Sequence, residues 1–124
     1  MKHVRVLLVD DEEDLVVTLA ERLAIRGFDA DWAVTADSAL ELLRGKTYDV
    51  AVLDVKLPGI SGLELKNHMA EIDSGLNFIF MTGHGSQEDF MAGSAAAGES
   101  NYLWKPVDID ALAQKIKRMA NRDN

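Results

Sequence analysis

The stretch Asp49-Val50-Ala51-Val52-Leu53-Asp54-Val55-Lys56-Leu57-Pro58-Gly59 constrains this chain more than any other. Apolar residues 50–53 run without a break into a lone carboxylate, Asp54, and the Pro58-Gly59 pair then stops any strand. A short apolar run bounded by turn signals fits a strand buried on both faces. Asp54 is therefore expected at the carboxyl end of a central strand. In open α/β sheets that edge is where ligands bind.

The same pattern repeats along the chain. Residues 4–9 (Val4-Arg5-Val6-Leu7-Leu8-Val9) read as a first buried strand that runs into Asp10-Asp11-Glu12-Glu13-Asp14. Val16, Leu19, Ala20 and Leu23 follow at helical spacing, and Gly27 stops that helix. Residues 28–33 alternate apolar and acidic, as a more exposed strand does. Thr35 is placed to cap a helix with Ala36, Ala39, Leu40 and Leu43 on one face, closed by Gly45. After the Asp54 strand and the loop 57–62, a helix is expected with Leu65, Met69 and Ile72 inward. Residues 77–81 form a fourth strand, ending at Thr82-Gly83-His84-Gly85. A weak helix over 87–97 follows, with Gly93 and Ser94 in its middle. A fifth strand, Tyr102-Leu103-Trp104, runs into Lys105-Pro106. Asp108 opens a last helix with Ile109, Leu112, Ala113, Ile116 and Ala120 inward.

Five strands alternating with five helices imply an α/β, doubly wound parallel sheet of flavodoxin-like type. Right-handed crossovers and the continuous apolar runs favour strand order 2-1-3-4-5, with the second and fifth strands at the edges. At 124 residues the chain reads as one domain, 1–124, with a core of about 2–122. Its net charge of −8 argues against direct binding of nucleic acid or an anionic membrane. Without cysteine there are no disulfides or thiolate metal sites. No signal-peptide pattern or membrane-length apolar run is present, which fits a cytoplasmic protein.

The chosen strand order gathers chemistry at one edge. Strand one ends on Asp10 and Asp11, strand three on Asp54 and then Lys56, strand four on Thr82, and strand five on Lys105. Each carboxylate pair about 4 Å apart repels by roughly 1 kcal/mol in water and about 4 kcal/mol at an effective dielectric of 20. A hard divalent cation relieves that repulsion, and carboxylate, carbonyl and water ligands suit Mg²⁺. Each residue taken alone has a plainer reading, as helix-start decoration, turn cap, strand residue or solvated charge. Their convergence on one side of the sheet carries the functional one. Glu12, Glu13 and Asp14 receive only the plain reading, as do His3 and His68, which lack metal-ligand spacing.

Val9-Asp10-Asp11-Glu12, Leu53-Asp54-Val55-Lys56-Leu57-Pro58-Gly59, Met81-Thr82-Gly83-His84-Gly85 and Tyr102-Leu103-Trp104-Lys105-Pro106 occur in order at fitting distances. Together they resemble the receiver domain of bacterial two-component response regulators, from Lys2 to about Arg122. The resemblance implies that a sensor histidine kinase or phosphotransfer protein donates a phosphoryl group to Asp54. It implies Mg²⁺ held by Asp10, Asp11, Asp54 and the main-chain carbonyl of Lys56. Thr82 and Lys105 would bind phosphoryl oxygens, Tyr102 would turn inward on activation, and the Lys105-Pro106 bond would be cis. Lys56, Gly83 and His84 sit where the family tunes the lifetime of the phosphoryl group. Tyr102 and Trp104, two apart on a strand, share a face. They are expected near the surface between the last two helices, as an output face for an output domain, a protein partner or a phosphorylation-dependent homodimer. Packing within the helix–sheet layer is the alternative for this pair.

Other classes remain open at this point. A metal-dependent phosphohydrolase resembling the haloacid dehalogenases needs a second acid two residues after the nucleophile, where this chain has Lys56. A phosphorylation-independent interaction module is expected to lack one of the key residues, and none is missing. A flavin-binding module needs a phosphate loop after strand one, where Asp10-Asp11-Glu12-Glu13 repels phosphate.

Overall fold

A computed structural model describes residues 3–83 and 101–121. In chain order the elements are β1 (Arg5–Val9), α1 (Glu13–Ile25), β2 (Asp29–Ala33), α2 (Ala36–Gly45), β3 (Val50–Asp54), β4 (Lys56–Leu57), β5 (Ile60–Ser61), α3 (Gly62–Ile72), β6 (Asn77–Thr82), β7 (Tyr102–Trp104) and, last, α4 (Ile109–Asn121). The main sheet is parallel, with order β2-β1-β3-β6-β7, and this is the expected 2-1-3-4-5 arrangement. The helix expected over 87–97 lies outside the described residues.

Alternation along the central strands divides the core into two layers. Val6, Leu8, Val50, Val52, Ile79 and Met81 face α1 and α4, where Val16, Leu23, Leu112 and Ile116 meet them. Leu7, Val9, Ala51, Leu53, Phe78 and Phe80 face α2 and α3, against Ala39, Leu43, Leu65 and Met69. A strand with apolar residues at every position is stable only between two such layers. The unbroken apolar runs of β1, β3 and β6 therefore occupy the centre.

Local chemistry sets the element ends. Thr35 accepts the Ser38 N–H at 3.1 Å to cap α2. Ser61 accepts the Glu64 N–H at 3.1 Å to cap α3. Gly27, at φ 92°, takes the left-handed conformation that ends α1. Pro58 and Gly59, the latter at φ 80°, turn the chain between β4 and β5. These pair antiparallel in a stretch that reads as loop in sequence.

Two inward assignments change. Ile72 is 39% exposed rather than buried. It lies in the last turn of α3, where the helix opens onto a crevice shared with Leu43, Gly45 and Asp73. Met119 is buried in α4, whereas Ala120 is only half-buried.

Candidate functional site

Sheet register brings the expected residues to one edge. Val9 pairs with Leu53 across β1 and β3, and Asp54 pairs with Met81 across β3 and β6. Thr82 pairs with Trp104, and the Lys105 N–H continues that ladder to the Thr82 carbonyl at 2.8 Å. Asp10, Asp54, Thr82 and Lys105 therefore all end strands on the same side. Strands β1 and β3, at the switch point, carry the two buried carboxylates.

Asp10 is fully buried, although Asp11 beside it is exposed. Its Oδ1 accepts the Glu12 N–H at 2.9 Å, and its Oδ2 lies 2.7 Å from Lys105 Nζ. Asp54 Oδ1 accepts the Lys56 N–H at 3.2 Å, and Asp54 Oδ2 accepts from Lys105 Nζ at 3.2 Å. One ammonium thus spans two buried carboxylates, with Glu12 Oε1 at 3.5 Å as a third contact. Burial pushes the Asp10 carboxyl above the ordinary range, against the pull of Lys105 and the Glu12 N–H. Burial likewise raises Asp54, with the charge of Asp11 adding to the rise and Lys105 opposing it. For Lys105, burial acts to lower the pKa, but the contacts with Asp10 and Asp54 outweigh it and hold the ammonium above its usual value.

The carboxylates of Asp10, Asp11 and Asp54 each present an oxygen within 4.8 Å of the others. This donor set is all oxygen and only partly neutralised by one ammonium, and it fits a hard divalent cation such as Mg²⁺. Thr82 Oγ1 is buried and has no hydrogen-bond partner among the described residues. A buried hydroxyl in that state costs about 1–3 kcal/mol unless a ligand engages it. A β-carbon at Gly83 would meet nothing within 4 Å among the described residues. Lys56 presents its side chain outward at the rim. The Lys105-Pro106 peptide is cis. His84 lies outside the described residues.

The aromatic pair divides. Tyr102 is buried, not near the surface, and its ring stacks on Phe80 with centroids 5.3 Å apart. Trp104, at the strand end, is 47% exposed. A central strand neighbour with an aromatic ring draws Tyr102 inward, and Trp104 lies beyond that layer.

Two residues escaped the sequence reading. Glu12, read as helix decoration, reaches Lys105. Gly62 packs its Cα against the backbone of Asp54, and a β-carbon there would collide with the Asp54 carbonyl. The Ser61-Gly62-Leu63-Glu64 spacing, a Ser three residues before a Glu, was the available signal for the start of α3.

Comparison with known proteins decides the family. The model of the response regulator receiver domain matches residues 6–117. The chain belongs to the response regulator receiver domains. This receiver domain is 30% identical over 118 residues to sporulation initiation phosphotransferase F of Bacillus subtilis, covering 95% of this chain and 94% of that protein. It is 33% identical to the probable transcriptional regulatory protein TcrX of Mycobacterium tuberculosis, covering 96% of this chain but 50% of the relative. Among solved structures, it is similar to the CheY-like receiver domain protein of Methanospirillum hungatei, with a TM-score of 0.86 and 30% identity over 98% of this chain and 96% of that one. It therefore spans nearly the whole of one relative and about half of another. Among the described residues, no helix is long and apolar enough to cross a membrane.

Proposed function

We propose that this receiver domain is a phosphorylation-activated signalling switch, that Asp54 is its phosphoryl acceptor, and that it works in the cytoplasm on a phosphoryl group from a histidine kinase or phosphotransfer protein. The observation that carries the reading is the Lys105 ammonium spanning the Asp10 and Asp54 carboxylates beside a buried Thr82 hydroxyl that has no partner among the described residues.

An Asp54 oxygen attacks the phosphorus of the donor phosphohistidine. The O–P bond forms, the N–P bond breaks, and the imidazole leaves with the electron pair. The Lys105 ammonium and the Thr82 hydroxyl receive phosphoryl oxygens. Asp10, Asp11, Asp54 and the main-chain carbonyl of Lys56 would hold Mg²⁺, which would supply the countercharge for an anionic group at this acidic edge. Lys56 and Gly83 stand beside the acceptor and, together with His84, set how long the acyl phosphate lasts. The domain catalyses its own phosphorylation and dephosphorylation and turns over no separate substrate. Thr82 moving toward the phosphoryl group couples the site to Tyr102 and to the exposed Trp104. That face meets an output domain, a protein partner or a second phosphorylated copy. Residues 1–124 make up one receiver domain with its core at about 2–122, and this domain makes no direct contact with nucleic acid or membrane.

Intact-mass measurement after incubation with a small phosphodonor and Mg²⁺ tests the acceptor. Wild type gains one phosphoryl group and Asp54→Asn gains none. Equal labelling of the two removes the assignment.

A further inference from the structure

We propose that Glu12 is a positioning residue that takes the Lys105 ammonium off the Asp10 and Asp54 carboxylates when Mg²⁺ engages them. The inference rests on the Mg²⁺-dependent reading above and extends it to a residue outside the acceptor, metal and phosphoryl contacts. Lys105 Nζ lies 2.7 Å from Asp10 Oδ2 and 3.2 Å from Asp54 Oδ2. Those carboxylates belong to the three that converge as a cation site. An ammonium and a divalent cation repel each other, so they do not share the same oxygens at contact distance. Lys105 must give ground, yet it has to stay beside Asp54 to meet the phosphoryl group.

Among the described residues, Glu12 is the remaining carboxylate in its reach, with Oε1 at 3.5 Å. A lysine carries three donors and can keep one partner while it releases two. The setting of Glu12 suits that task. It stands at the N-cap of α1 with extended backbone, but its side chain makes no capping bond. Asp, Asn, Ser or Thr would cap better at that position. Its N–H is held by Asp10 Oδ1 at 2.9 Å, so its backbone is pinned to the metal-side carboxylate. Its side chain is 66% exposed and turns toward Lys105 at little desolvation cost.

A double-mutant cycle on the full chain, read as Mg²⁺ affinity by titration calorimetry, tests this. Glu12→Gln should weaken Mg²⁺ binding about two- to fivefold, the range of a partly exposed ion pair. Lys105→Met should tighten binding, because no ammonium competes. In the Lys105→Met background, Glu12→Gln should lose most of its effect. An equal loss in both backgrounds means that Glu12 attracts the ion directly, and it overturns the proposal, as does no loss in either. A second measurement keeps Lys105 intact. The Lys105 Nζ resonance should respond to Glu12→Gln more strongly with saturating Mg²⁺ than without it. A response no larger with Mg²⁺ also overturns the proposal. If wild type binds no Mg²⁺ at all, the Mg²⁺-dependent reading falls first. Mg²⁺ binding without coupling between Glu12 and Lys105 removes only the role of Glu12.

Discussion

The Cα of Gly62 rests against the main-chain carbonyl of Asp54, so closely that no β-carbon fits between them. The Gly62 N–H donates to the Val55 carbonyl at 2.8 Å, which locks the start of α3 onto the acceptor strand. Gly62→Ala should therefore cost about 1–3 kcal/mol, as overpacking does, and slow labelling by a phosphodonor because Asp54 shifts. Gly59→Ala is the control. Its φ of 80° disfavours a side chain, but a β-carbon there meets open space. It should lose stability with little change in labelling rate. Urea unfolding and timed intact-mass spectra separate the two, and unchanged labelling of Gly62→Ala would remove the positional argument.

Asp11 is the exposed member of the carboxylate trio, so it can be removed without stranding a buried charge. Mg²⁺ at about ten times its dissociation constant should stabilise wild type by roughly 1.4 kcal/mol. Asp11→Ala should gain less at the same concentration. Thermal unfolding with and without millimolar Mg²⁺, against a salt of equal ionic strength, reads the difference. Equal gains in the two proteins count against Asp11 as a ligand.

At the β2 edge of the sheet, the Tyr48 hydroxyl donates to Asp31 Oδ2 at 2.6 Å, and Lys46 Nζ donates to the same oxygen at 2.9 Å. Burial and the Asp31 carboxylate hold the Tyr48 phenol above its ordinary range. Its hydrogen bond to Asp31 and the nearby charges raise Lys46 as well. Burial acts to raise Asp31, but Tyr48 and Lys46 outweigh it and its carboxyl is lowered. For the phenol, the unfolded chain ionises first, near pH 10. Stability contributed by Tyr48 is thus complete below about pH 10 and is lost as pH rises toward its folded value. Lys46 adds a loss of the same sign, whereas the Asp31 contribution disappears only in acid, as pH falls through its lowered value. Tyr48→Phe should cost roughly 1.5 kcal/mol at pH 7, the low end for a bond to a charged acceptor because Asp31 is partly exposed. Its stability should also fall less steeply than wild type above about pH 10. Urea titrations at pH 7 and in the alkaline limb test both statements, and parallel alkaline slopes would refute the second.

The strand ends were legible because buried parallel strands write themselves as unbroken apolar runs. Residues 50–53 and 6–9 therefore locate Asp54 and Asp10 at strand ends. Helix faces were legible wherever the helix lies over the sheet, as with Leu19 and Leu23. Periodicity failed at Ile72 and Met119 because it cannot say where the neighbouring layer stops. The roles of Glu12 and Gly62 were not legible. One depends on how far a side chain from the opposite end of the sequence reaches, and the other on how closely two backbones approach. Neither distance has a period. The depth of Tyr102 depended likewise on a ring partner, Phe80, in a strand distant in sequence.

Phe80 and Tyr102 now define what the output face can report. The rings stack 5.3 Å apart with Tyr102 buried, while Thr82, two residues beyond Phe80 on the same strand, holds a buried hydroxyl with no partner among the described residues. Thr82 pairs in register with Trp104, so a pull on the hydroxyl is transmitted to the strand that carries the exposed tryptophan. Trp104 should therefore sense phosphorylation even though Tyr102 is already inside. Trp32 is also exposed and would obscure the signal, so Trp32→Phe is the background in which to look. In that protein, emission should shift when phosphodonor and Mg²⁺ are added, and the shift should vanish in Asp54→Asn. Tyr102→Ala removes the stacked ring and should cost about 3 kcal/mol or more, as loss of a buried aromatic does. Tyr102→Phe keeps the ring and should retain the shift if stacking, rather than the hydroxyl, couples the two strands. If emission is unchanged on phosphorylation and Trp104→Ala leaves self-association and partner binding intact, this face is not the output surface.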